Sequence, residues 1–260
     1  MKRRHFLKST AIASIAAPFA LHRTASAQSR SANRKMTINL VCGAIGVKAS
    51  QTRAIELAAK HGFESVEAHS SYLAELSDGE LEALNADLME KKLVWGTSGL
   101  SVDFRKDEDT FKRGLKKLPR LAAGLQRAGV KRVNTWIMPC HDELTYLENF
   151  KQHSNRLREI CKVLDAYDLR FGMEYVGTAT LLASRKYPFV HTMAEILELV
   201  EAIGTGNAGI VLDSWHWWQA GDSVADIENL NKEDIILVDL NDAPASIEKN
   251  RQLDGKRELP

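Results

Sequence analysis

Cysteine is scarce. Cys42, Cys140 and Cys161 are the whole set, an odd number at wide spacing. That excludes a disulfide framework, and no pair shows the short spacing of a structural zinc site. Cys140-His141 sets a thiol beside an imidazole, but successive side chains diverge, so the pair does not read as a nucleophile with its base. The chain also lacks a G-x-G-x-x-G loop after its first strand-like run; Leu40 to Gly46 is only loosely similar, which argues against a dinucleotide fold. Acidic residues are missing from positions 1–27. There, Arg3-Arg4-His5-Phe6-Leu7-Lys8 is a twin-arginine pattern, and an Ala-rich stretch runs from Thr10 to Leu21. Ala25-Ser26-Ala27 supplies a small-residue cleavage site before Gln28. The apolar stretch is too short for a membrane span. Residues 1–27 therefore read as a removable export signal, and the expected location is periplasmic or otherwise exported. Export by this route carries folded proteins, so a metal acquired in the cytoplasm would leave with the chain.

A basic excess is lacking as well. The leader holds five of the 35 Lys and Arg and none of the 34 Asp and Glu, which leaves 30 basic groups and a formal charge of about −4. A mildly acidic chain without a basic cluster offers little to a phosphate backbone, so nucleic acid is not an expected partner. No membrane span is expected once the signal is removed, and a homo-oligomer is compatible with the composition. After a polar linker over 28–35, residues 36–260 suit one large domain.

That domain repeats a unit in which a helical pattern ends in Gly and a β-rich run follows. Ala54 to Lys60 leads through Gly62 into Phe63 to Glu67; Arg120 to Ala128 leads through Gly129 into Val130 to Trp136; His191 to Ile203 leads through Gly204 into Ile210 to Asp213. Each Gly suits the left-handed position after a helix. Ser77-x-x-Glu80 and Thr192-x-x-Glu195 are capping boxes at helix starts. Strands are expected near 37–43, 64–69, 93–98, 131–138, 169–175, 209–213 and 235–240, with a long helix over 143–167. Such alternation reads as a helix-covered parallel sheet, and the number of units in one domain favours a (β/α) barrel. An eighth strand is not found before Pro260, so the expected fold is an α/β (β/α)8 TIM barrel lacking its last β/α unit, and the chain reads as missing its C-terminal end.

Barrel active sites lie at the C-terminal ends of the strands. The second expected strand ends in Glu67 and His69, the fourth in Asn134 and Trp136, the fifth in Glu174, the sixth in Asp213 and the seventh in Asp239. A single Asp after a strand is ordinarily a turn or cap residue. Glu174, Asp213 and Asp239 together would converge on one pocket and repel one another, a conflict that a divalent cation resolves. Oxygen-rich ligands suit Mg²⁺ or Mn²⁺, with Zn²⁺ or Co²⁺ as alternatives. His216, three residues past Asp213, is a ligand or a hydrogen-bond donor to substrate. The tryptophans of "DSWHWW" divide between core and a wall on which a sugar stacks, with Trp215, and Trp136 on the same rim, as candidates for the wall.

"GFESVEAH", "GMEYVG", "VLDSWHWW" and "VDLNDAP" resemble the sugar phosphate isomerase/epimerase family, whose members are xylose isomerase-like TIM barrels. The resemblance covers nearly all of the mature chain. It implies a divalent metal, often Mn²⁺, held by Glu174 and Asp213, with His216 on a substrate oxygen. Arg257 in "RELP" matches the family's substrate-binding Arg. Two positions depart from the pattern: the family commonly has a His where Asp239 stands, and its eighth-strand Glu has no counterpart.

The expected function is a metal-dependent isomerase or epimerase acting on a non-phosphorylated sugar, keto-sugar or cyclitol through an enediolate. Glu174 would take the α-proton, His216 and Arg257 would hold the oxygen whose charge grows, and Trp136, Trp215, Glu67 and His69 would line the substrate. The alternatives are a metal-dependent sugar dehydratase or lyase, and a non-catalytic carbohydrate-binding barrel. A related endonuclease chemistry needs a metal cluster with more histidines, and the third strand offers only Gly96-Thr97-Ser98 at its end.

Overall fold

The structure is a computed structural model that describes residues 35–258. The export signal expected over 1–27, and all of the expected linker except Lys35, lie outside the described residues. The unit Thr37–Pro260 holds every element named below.

Among the described residues there are ten strands: β1 (Asn39–Leu40), β2 (Ser65–Val66), β3 (Val94–Trp95), β4 (Ser98–Gly99), β5 (Arg132–Trp136), β6 (Cys140–His141), β7 (Arg170–Glu174), β8 (Tyr187–Pro188), β9 (Ala208–Asp213) and β10 (Ile235–Asp239). Eight of them form a parallel curl. β1, β2 and β3 pair in that order, and β4, β5, β7, β9 and β10 pair in theirs. β3 and β4 are two halves of the third expected strand, interrupted at Gly96-Thr97. The break stays bonded to its neighbour, because Gly96 N donates to Val66 O and Ala68 N donates to Thr97 O, both at 2.9 Å. A Cβ at Gly96 would lie 2.1 Å from Asn39 Oδ1, so the Asn39 amide would have to move to admit a side chain there. All seven expected strands are therefore present, in barrel order. Short β6 and β8, which pair antiparallel above this curl, were not foreseen.

The helices are α1 (Gln51–Lys60), α2 (Ser70–Glu75), α3 (Asp78–Glu90), α4 (Glu108–Ala128), α5 (Tyr146–Asp165), α6 (Ala179–Leu182), α7 (Met193–Ile203), α8 (Ser214–Ala220) and α9 (Val224–Glu228). Both expected capping boxes form, at Ser77 and at Thr192. Gly129 and Gly204 end α4 and α7 with positive φ, as a left-handed cap requires. α4 begins twelve residues before the expected Arg120 and runs through Pro119.

β9 explains why parallel strands read as continuous apolar runs. Ile210 and Val211 are both fully buried although successive side chains of a strand face opposite sides of the sheet, so both faces of β9 are covered. Each such side chain contributes on the order of 2 kcal/mol of transfer free energy. The same alternation delivers Asp213, at the strand's end, to the barrel mouth. All three cysteines are free and buried, in keeping with their scarcity and spacing. Among the described residues no helix is long and apolar enough to cross a membrane.

Candidate active site

Asp213 closes β9 and opens α8. Its Oδ1 accepts from the backbone N–H groups of Trp215 (2.7 Å) and His216 (3.0 Å), an N-cap that holds α8 against the strand end. Oδ2 accepts from Asn241 Nδ2 (2.6 Å) and Arg257 Nη1 (3.0 Å). The carboxylate is 1% exposed. The first turn of α8 then brings His216 back over the mouth, where its Nε2 lies 3.7 Å from Glu174 Oε1 and 3.3 Å from Asp254 Oδ1.

Glu174, Asp213 and His216 each offer a ligand atom, and these atoms lie within 4.8 Å of one another. Burial, and then the charges of Asp213 and Asp239, push the Glu174 carboxyl well above the usual carboxylate range. Burial pulls the His216 imidazole down, which favours the neutral, ligand-competent ring. Its Nδ1 is buried with no hydrogen-bond partner. Two crowded carboxylates and an under-satisfied neutral imidazole fit a divalent cation of mixed oxygen and nitrogen preference, so this donor set suits Mn²⁺, Co²⁺ or Zn²⁺ as well as Mg²⁺.

Asp239 pairs with Asp213 in the β9–β10 register and so reaches the same level of the mouth. It stands beside the close group rather than in it. Burial and the Asp213 charge raise its carboxyl to about 6, while Arg257 opposes the shift. Arg257 sits on Asp213 itself, with its guanidinium 5.6 Å from the Trp215 ring centroid. Trp215 is fully packed, with Nε1 donating to Gln252 Oε1 at 3.0 Å, so it forms floor and not an open wall. Trp136 is 44% exposed and pairs with Glu174 across β5 and β7.

Glu67 and His69 lie at the end of β2, 3.9 Å apart, with Gln51 bonded to both backbones. Burial raises the Glu67 carboxyl. Among the described contacts, neither reaches the Glu174 group. Asp254 and Asn241 do reach it, and neither is in the expected site. The spacing Asp254-x-x-Arg257 on a polar turn and the Asn241 next to the seventh strand's end are the only signals they leave in the sequence.

A family model described as "Xylose isomerase-like TIM barrel" matches residues 55–260. A xylose isomerase domain protein from Alicyclobacillus acidocaldarius is 32% identical, with a TM-score of 0.72 over 82% of this chain and 75% of that one. An IolI protein solved with a zinc atom has a TM-score of 0.69 at 19% identity, over 86% of this chain and 79% of that one. An inosose isomerase from Bacillus velezensis is 21% identical over 193 residues, 72% of this chain and 66% of that protein. One from Halalkalibacterium halodurans is 27% identical over 88 residues, 34% of this chain. The chain thus spans 66% and 29% of the lengths of these two relatives. With the model matched along most of its length, and strand order and site level both those of a barrel mouth, the chain belongs to the xylose isomerase-like TIM barrel family.

Proposed function

We propose that this chain carries the proton-transfer site of a divalent-metal-dependent isomerase or epimerase acting on a non-phosphorylated sugar, keto-sugar or cyclitol. The observation that carries the proposal is the convergence of part-buried Glu174 with buried Asp213 and His216 within 4.8 Å, at the ends of neighbouring parallel strands and the helix that follows. Inosose isomerases among the relatives, and a likeness in fold to D-psicose 3-epimerase at 16% identity, support the substrate class. The expected export signal supports an unphosphorylated substrate.

Glu174, Asp213 and His216 would hold the metal, with Asp239 adding negative charge at its side. A bound divalent cation supplies Lewis acidity that makes a C–H beside a carbonyl easier to ionise. Glu174 is the base. A carboxylate held part-buried beside Asp213 and Asp239 is driven to accept a proton. His216, neutral and fixed by the α8 cap, would be the metal's nitrogen ligand, with a substrate oxygen bound at its side. Arg257 offers positive charge beside the same oxygen once its hold on Asp213 is shared with the substrate. Trp136 offers an exposed ring next to Glu174. Return of the proton to the neighbouring carbon gives the isomer; a proton delivered to the opposite face by a second donor, with Glu174 keeping the one it removed, gives the epimer.

The test is conversion by metal-stripped protein reloaded with Mn²⁺, Co²⁺, Zn²⁺ or Mg²⁺ and incubated with inosose, D-fructose and D-tagatose. Isomer formation that disappears with chelator and in Glu174→Gln is expected. A product lighter by one water makes the chain a dehydratase instead. One observation favours a non-catalytic carbohydrate-binding barrel: Asp213 Oδ2 is already satisfied by Arg257 and Asn241. Chelator-insensitive sugar binding without conversion under every metal would establish that second function and remove the first.

A further inference from the structure

Trp136 at the end of β5 is held by a device that the proton-transfer scheme leaves unused. The ring is 44% exposed, and its partner in register is Glu174. Directly paired residues of neighbouring strands project to the same side of a sheet, so Trp136 belongs to the mouth that Glu174 occupies. Against it lies Arg105, whose guanidinium carbon is 4.4 Å from the Trp136 ring centroid and 4.3 Å from that of Phe104. Nη2 of Arg105 donates to Thr135 Oγ1 at 2.8 Å and to the Trp136 carbonyl.

The anchor continues inward. Phe104 is fully buried and meets the His153 ring edge-on at 5.4 Å. Arg156 of α5 donates to Phe104 O (2.9 Å), Lys106 O (2.6 Å) and Glu108 Oε2 (2.8 Å), which clamps the backbone on both sides of Arg105. Rigidity therefore passes from α5 through the 104–106 loop and Arg105 to an exposed indole.

This arrangement has a cost that packing alone does not explain. Arg105 is largely buried, its nearest carboxylate oxygen is 4.0 Å away on Asp103, and its Nε has no partner. Burial accordingly lowers its pKa to about 10. Desolvating a cation costs the fold more than a carboxylate at 4.0 Å returns. What it secures is the orientation of one large ring that solvent still reaches. A ring fixed before binding loses less entropy when a ligand stacks on it.

We propose that Arg105 is a positioning residue that holds Trp136 as the wall on which a carbohydrate ring stacks, and so sets the affinity of the site. The role rests on the carbohydrate reading above; it requires no charge on the substrate. The sugar's C–H face meets the free side of the indole, while Arg105 occupies the other approach.

The test uses the full chain with inosose and D-fructose as probes. Arg105→Ala is expected to raise Kd, measured by tryptophan fluorescence, roughly five- to tenfold, the range of a part-buried cation–π contact. Acrylamide quenching assigned to Trp136 by difference from Trp136→Phe should rise in parallel, and Arg105→Lys should recover part of both. If Arg105→Ala does not fold, Arg105→Lys decides by the same two readouts with a smaller shift. An unchanged Kd overturns the proposal, and so does a weaker Kd with Trp136 quenching as in wild type. Deuterium exchange run alongside separates the two ideas. Exchange with unchanged Kd removes the role of Arg105 alone, and affinity effects without exchange remove the isomerase reading alone. No binding of either probe to wild type contradicts both.

Discussion

Asp213 has two tasks, and they separate by substitution. One oxygen caps α8 through Trp215 and His216, and the other receives Asn241 and Arg257. Asp213→Ala removes the cap, worth about 1–2 kcal/mol, and takes the carboxylate from Arg257 Nη1, leaving that guanidinium only Asp254. Asp213→Asn keeps an oxygen for the cap and should lose less stability in urea denaturation while losing metal binding as fully. Asp239 gives a pH test. Its folded value of about 6 exceeds the ordinary 3.8, so between these values the folded chain holds a proton that the unfolded chain has released. Stability contributed by this group falls as pH rises from about 4 to about 6 and does not return above it. In chelator, Asp239→Asn should therefore raise the melting temperature at pH 7.5 and leave it nearly unchanged at pH 4. An equal gain at both pH values contradicts the assignment. The carboxylates were visible in the sequence because a strand end fixes where its last side chain goes. Arg105 was not, since in "DFRKDED" it looks like one more solvated charge, and only the folded loop puts it on Trp136.

α8 is the element on which the site turns, and it is seated on Gly177. A Cβ there would lie 2.5 Å from His216 O and 2.6 Å from Ala220 N, both backbone atoms that cannot swing aside. Gly177→Ala must push α8 outward, and His216 with it. Expected are a stability loss of roughly 1–3 kcal/mol, as overpacking costs, and a larger proportional loss of metal affinity by calorimetry. A purely local glycine role would change stability and leave affinity alone. Helix starts with a capping box were readable residue by residue, because the motif is local. α4 was not: Pro119 marks a helix start in isolation, yet the helix runs on from Glu108. The buried stripe Phe111, Leu118, Leu121 and Leu125 outweighs the one hydrogen bond that proline removes. β6 and β8 escaped notice because neither belongs to a repeated strand–helix unit; each lies within the connection that follows a barrel strand.

For the molecule as a whole, repeated units revealed the barrel and the order of its strands, since each strand–helix unit carries its own punctuation. What lies between β10 and β1 has no such record among the described residues. The three-ligand site predicts a linkage that any unfolding experiment can read. Mn²⁺ at a hundred times its Kd should stabilise the folded chain by about 2.7 kcal/mol, and Glu174→Gln should lose most of that gain. A melting temperature indifferent to Mn²⁺, Co²⁺, Zn²⁺ and Mg²⁺ alike would contradict the donor set.

The role proposed for Glu174 is to remove a proton from carbon next to a carbonyl, and solvent exchange reads that step without requiring net conversion. Wild-type protein loaded with Mn²⁺ and incubated with inosose in D₂O should place deuterium on the carbon beside the carbonyl. Glu174→Gln should slow that incorporation by roughly a hundredfold or more, the usual contribution of a positioned general base. Absence of deuterium with wild type, or exchange at equal rates in Glu174→Gln, would contradict the account.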